Sequence, residues 1–95
     1  MEEKDLYRQK FEAKLKELKA QIGVLEAKAE QVKAESKLEL KEQIQNLRRK
    51  RDSLDTNLDQ LKQSSGDAWK DLKAGLESAR EELKGALGKA MDQFK

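Results

Sequence analysis

Val32-Lys33-Ala34-Glu35-Ser36-Lys37-Leu38-Glu39-Leu40-Lys41-Glu42-Gln43-Ile44 lies near the middle of a 95-residue chain, and its reading decides the fold. Upstream of it, Phe11, Leu18, Leu25 and Val32 recur every seven residues, with Leu15, Ile22, Ala29 and Ser36 four residues behind each. That is the double row of a heptad seam on a helix. Downstream, Leu40, Leu47, Leu54 and Leu61 form one row and Ile44, Arg51 and Leu58 the other, a phase slipped by one residue. Between the two registers the steps Val32, Ser36, Leu40, Ile44 are all of four residues, the spacing of a stutter that locally relaxes a supercoil.

The slip has two readings. Ser36 followed by Glu39 fits a capping box, which would start a new helix after a reversal. The stretch 34–45, however, holds no Gly, Pro, Asn or Asp and is built largely of good helix formers, which favours continuity. The sequence therefore predicts an all-α protein. Its parts are a long coiled-coil helix over 1–62 with a register slip near 33–40, a break at 63–67, and an amphipathic C-terminal helix over 68–95. The alternative is a three-helix bundle with a turn near Ser36. A helix running from Lys4 to Lys62 would be about 90 Å long at 1.5 Å per residue.

The break is read at Ser64, Ser65 and Gly66. Gly66 can adopt the left-handed conformation that closes a helix, and Ser64 or Ser65 can cap the next one, with Asp67 favoured in its first turn. Beyond it, Trp69, Leu72, Leu76, Ala79, Leu83, Ala86, Leu87, Ala90, Met91 and Phe94 share one side of a helix, an arc of about 140° at 100° per residue. Lys73, Arg80, Lys84 and Lys95 border that face, while Gly75, Gly85 and Gly88 lie off it and weaken the helix in isolation.

Composition narrows the function classes. Hydrophobic residues make up 36% of the chain and ten of them are alanine, whereas charged residues reach 42%, so little interior is available for a pocketed enzyme. Without histidine or cysteine the chain lacks the commonest metal ligands, the usual near-neutral proton shuttle and any thiolate nucleophile. Carboxylates abound, but pairs such as Glu12 with Lys16 or Glu81 with Lys84 read as helix-surface partners. No catalytic residue, metal site, cofactor or small-molecule substrate is expected, and the protein is read as a non-enzyme.

The net charge of +2 comes from one place. Residues 1–47 and 63–95 are each balanced, and the excess sits in the run Arg48-Arg49-Lys50-Arg51. Four basic residues followed by Asp52 and Asp55 read as a solvated helix face rather than a nucleic-acid footprint. The acidic start Met1-Glu2-Glu3-Lys4-Asp5 is unlike a secretory leader, and no apolar run approaches the roughly 20 residues of a membrane span, so a cytoplasmic setting is expected.

Function is expected to follow from the seam. In a continuous helix the ribbon of Phe11, Leu15, Leu18, Ile22, Leu25, Val32, Leu40, Ile44, Leu47, Arg51, Leu54, Leu58 and Leu61 is too long for the C-terminal segment to cover. A homo-oligomer, an antiparallel dimer or tetramer, is the expected closure. Arg51 falls on a core-facing position: either it pairs with Asp55 and fixes register, or its stem packs and its head reaches solvent. The expected function is a non-enzymatic self-assembling coiled-coil scaffold or interaction protein. The alternative is a peripheral protein that lies on a lipid surface through Trp69, Leu72, Leu76, Leu83, Leu87, Met91 and Phe94, although six acidic residues balance six basic ones in that segment.

The run from Ser65-Gly66-Asp67-Ala68-Trp69 to Leu76, preceded by Lys50-Arg51-Asp52 and the leucines leading to Leu61, resembles a family of small, uncharacterised bacterial coiled-coil proteins. Members share a Ser-Gly-acidic-Ala-Trp segment between a long charged helix and a terminal amphipathic one. The resemblance covers about half of the chain and implies a cytoplasmic bacterial helical protein without an assigned activity. A looser similarity links the last helix to the amphipathic helices of exchangeable apolipoproteins.

Overall fold

The computed structural model describes residues 2–94; Met1 and Lys95, which the sequence reading places in the first and last segments, lie outside them. Three helices follow one another: α1 (Glu3–Ala29), α2 (Ala34–Gln63) and α3 (Ala68–Gln93). They form an up-down-up bundle of 51 × 18 × 17 Å, so a single rod of about 90 Å is excluded. The long helix expected over 1–62 is instead two antiparallel helices, and the three-helix alternative describes the fold.

The reversal occupies residues 30–33, a few residues ahead of the Ser36 site the sequence indicated. Glu30 N–H donates to Ala27 O at 3.2 Å and Gln31 N–H to Lys28 O at 2.9 Å, which tightens the last turn of α1. Lys33, extended at φ −63° and ψ 152°, is the N-cap of α2 and supplies no side-chain cap. Ser36 therefore sits inside the first turn of α2, its N–H donating to Lys33 O at 3.0 Å, and the capping box does not form at Ser36. Propensity favoured continuity here, and packing overrode it. Reversing the chain buries Phe11, Leu15, Leu18, Ile22, Leu25 and Ala29 against Leu40, Ile44, Leu47, Leu54, Leu58 and Leu61 within one molecule.

The second link keeps the expected left-handed Gly66, at φ 59°. The serines act differently from expectation. Ser64 is the C-cap of α2, its hydroxyl donating back to Leu61 O at 2.6 Å, and Asp67 rather than a serine occupies the N-cap of α3. From α1, Lys4 Nζ donates to Lys62 O at 3.3 Å and Ser64 O at 2.9 Å, placing a cation on the carbonyl end of α2 where the helix dipole favours it.

α3 lies in the groove of the α1–α2 hairpin, with Trp69, Leu76, Leu83, Leu87, Ala90 and Phe94 buried and Leu72, Ala79, Ala86 and Met91 packed at the edge of the core. Among the described residues no buried side chain is polar or charged. No helix among them is long and apolar enough to cross a membrane.

Candidate interaction surface

The seam residues expected to meet a partner are the core of this bundle. Of the expected seam, Phe11, Leu15, Leu18, Ile22, Leu25, Leu40, Ile44, Leu47, Leu54, Leu58 and Leu61 are all buried, Val32 is half-buried at the turn, and Arg51 is half-buried. The premise that one chain cannot shield its own leucines is thus corrected: reversal at 30–33 shortens the ribbon, and α3 covers what remains.

Arg51 also departs from the register role. Its guanidinium pairs with the adjacent Asp52, Nη2 to Oδ1 at 3.1 Å, while Asp55 is taken by Lys19 of α1, Nζ to Oδ1 at 2.8 Å. The reading in which the arginine stem packs and its head reaches solvent describes it. The basic run is split around α2, with Arg48 engaging Glu26 of α1, Nη2 to Oε2 at 2.6 Å.

A ladder of three ion pairs lies along the α1–α2 contact. Glu12 pairs with Lys62 at 2.9 Å, Lys19 with Asp55 at 2.8 Å and Glu26 with Arg48 at 2.6 Å. Each step of seven residues forward on α1 is matched by seven backward on α2, and the sign alternates from rung to rung. Sliding the helices by one heptad would set Glu12 against Asp55 and Lys19 against Arg48, like against like. The ladder therefore selects one antiparallel register, the role that charges flanking an apolar seam serve in coiled coils. Every rung residue follows a seam residue by one: Phe11–Glu12, Leu18–Lys19 and Leu25–Glu26 on α1, then Leu47–Arg48, Leu54–Asp55 and Leu61–Lys62 on α2. Lys62 and Arg8 together hold the Glu12 carboxyl below its ordinary value, the Lys62 hydrogen bond having the largest effect.

A second polar cluster ties α1 to α3. The Tyr7 hydroxyl donates to Glu77 Oε1 at 2.7 Å, Arg80 reaches the other oxygen of Glu77 at 3.1 Å, and Lys73 Nζ stands 5.1 Å from the Tyr7 ring centroid. Burial and then the acceptor Glu77 push the Tyr7 hydroxyl well above its ordinary 10.0. Burial works against ionisation of Glu77, but the Tyr7 hydroxyl and Arg80 outweigh it and hold that carboxyl low. Tyr7 stacks between Phe11 and Trp69, 5.9 Å to each ring. Trp69 and its helix face are thereby engaged in the bundle rather than turned outward.

Among the described residues three large apolar side chains remain uncovered: Leu6 at 46% exposure, Val24 at 55% and Leu38 at 67%. Beside Leu38, where α1 ends against α2, a groove of about 590 Å³ is lined by Ala27, Ala29, Leu38 and Ile44 together with Glu26, Glu30, Lys41, Glu42, Gln45 and Arg48. Its lining carries both signs of charge. The described residues contain no His/Cys/Asp/Glu group arranged to hold a metal ion.

No family model, curated protein or solved structure matches the chain.

Proposed function

We propose that this protein is a non-enzymatic, self-associating helical scaffold whose chemistry is the recognition of one helix by another. The observation that carries this reading is the ladder of Glu12–Lys62, Lys19–Asp55 and Glu26–Arg48 beside a seam whose buried residues are all apolar. Such a ladder specifies which helix faces which and in what register, and antiparallel contacts of this geometry can also be made between copies. A cytoplasmic setting belongs to the same proposal.

Sedimentation equilibrium or light scattering across a wide concentration range tests it. The expected result is a mass rising from 10.9 kDa toward a defined multiple as concentration increases. A mass fixed at the single-chain value throughout overturns it. Docking of α3 on a lipid surface would require Trp69, Leu76, Leu83 and Leu87 to leave the core, so it is the less supported reading. Flotation with anionic vesicles, accompanied by loss of the Trp69–Tyr7 contact in fluorescence, would reverse that order.

A further inference from the structure

We propose that the link at residues 30–33 is a hinge through which two copies of this chain exchange α1. The link straightens, α1 and α2 become one helix, and α1 of each copy lies on α2 and α3 of the other. This rests on the self-association reading above and gives it a geometry.

The register permits it. The three rungs Glu12–Lys62, Lys19–Asp55 and Glu26–Arg48 share one midpoint, position 37. Two straightened chains laid antiparallel about a two-fold axis near Ser36 and Lys37 therefore make these three pairs between copies as one copy makes them with itself. The apolar rows also continue through the straightened link, because Ala29, Val32, Ser36, Leu40 and Ile44 follow at the three- and four-residue steps of a helical seam. The slip of register that marks the reversal in the single chain is a tolerable stutter in the exchanged pair.

The chemistry of the two links differs in the way exchange requires. Residues 30–33, Glu-Gln-Val-Lys, include no glycine or proline and none has a positive φ. Glu30 is already helical at φ −75° and ψ −17°, and Lys33 has only to rotate from ψ 152° into the helical range. Nothing in the link demands a turn. A cross-hinge ion pair, Lys37 to Glu30, is long at 3.9 Å and reaches a largely exposed carboxylate. The link at 64–67 is locked by comparison: Gly66 is left-handed at φ 59°, and the Ser64 hydroxyl fastens the end of α2 by donating to Leu61 O. The first link opens and the second holds, so α1 is the helix that changes partner.

Ala34 gives a variant that separates the two forms. It is the first residue of α2, where proline is accommodated because its N–H has no place in the helical ladder, and the residue before it is already extended as a following proline requires. In the straightened helix the same proline falls mid-helix. Ala34→Pro is therefore expected to keep the single-chain fold, with helical circular dichroism unchanged, and to weaken dimerisation by about 100-fold or more. A second measurement uses the protein as it is. Isotopically light and heavy chains are mixed, unfolded and refolded together at high concentration, the dimer is isolated, and a carbodiimide joins Lys19 to Asp55 and Lys62 to Glu12. Crosslinked peptides combining light and heavy halves at these positions are expected.

A dimer whose crosslinks at these positions are all of one isotope overturns exchange and leaves self-association through another surface, such as exposed Leu6 and Val24. A well-folded Ala34→Pro protein that dimerises as the parent does also overturns exchange. A parent chain that stays monomeric overturns both exchange and the scaffold reading.

Discussion

Trp69 is the second residue of α3 and is 7% exposed, its indole 5.9 Å from the ring of Tyr7 on α1. Replacing it with alanine opens a large cavity between α1 and α3, and the expected loss is about 3–5 kcal/mol, read from the midpoint of denaturant unfolding. The Tyr7 hydroxyl beside it titrates above its ordinary 10.0 in the folded chain, because burial and Glu77 both disfavour the phenolate. Its contribution is complete below pH 10 and is lost as pH rises beyond it, since the unfolded chain then releases a proton that the folded chain retains. Tyr7→Phe keeps the ring and removes the titration, so its melting temperature is expected to fall less steeply than the parent's above about pH 10. At the acid end, Glu12 and Glu77 have lowered values, so their contribution is complete above the ordinary 4.5 and is lost as pH falls below it. Glu12→Gln and Glu77→Gln are expected to flatten the acid limb of the same melting curve; an unchanged limb would detach those pairs from stability.

Among the elements, α3 has the broadest apolar face and the weakest intrinsic helix. Gly75, Gly85 and Gly88 face away from the core, and nothing lies within 4 Å of the point a β-carbon would occupy at any of them. Alanine at each is expected to stabilise by about 0.5–1 kcal/mol, with the three effects nearly additive in chemical denaturation. Gly66→Ala in the preceding link should do the opposite, costing about 1–2 kcal/mol, because the φ of 59° is left-handed. The face of α3 and the left-handed glycine were legible in the sequence, since periodicity marks the one and a lone glycine between Ser65 and Asp67 marks the other. The reversal was legible only as the alternative placed near Ser36, for a physical reason: no residue of 30–33 prefers a turn, and the one-residue slip between the Leu25 and Leu47 rows is what betrays it. Ser36 misled because a serine–glutamate spacing suits a cap, whereas backbone extension at Lys33 does the work. The interaction surface was legible as apolar rows but not as a ladder. The spacing suits Glu12 to its near neighbour Lys16, whereas in the fold it pairs with Arg8 and with Lys62, 50 residues away. Charges alternating in sign every seven residues beside both rows were the available signal.

For the molecule as a whole, an apolar seam alone leaves several alignments of two leucine-rich helices close in free energy, because one leucine layer resembles the next. Direction and register then depend on weak interactions whose sum changes sign with each misalignment. The ladder has that property: a slip of one heptad turns two of its three rungs into like-charge contacts, Glu12 against Asp55 and Lys19 against Arg48, so the gap between alignments exceeds the strength of any single pair. Its side chains are about 40% exposed at the Lys19–Asp55 rung, which places each rung among surface pairs worth about 0.2–1 kcal/mol. A double-mutant cycle measures this. Lys19→Glu and Asp55→Lys should each destabilise by about 0.5–1 kcal/mol through like-charge contact, and the two together should recover most of the loss. The coupling should shrink in about 1 M salt, where screening reaches only about 3 Å. Independent, additive losses would mean that register is set by the packing of the leucines themselves. Recovery in the double variant with salt-dependent coupling would assign it to the charges, the part of the surface that one chain can present equally to itself or to its copy.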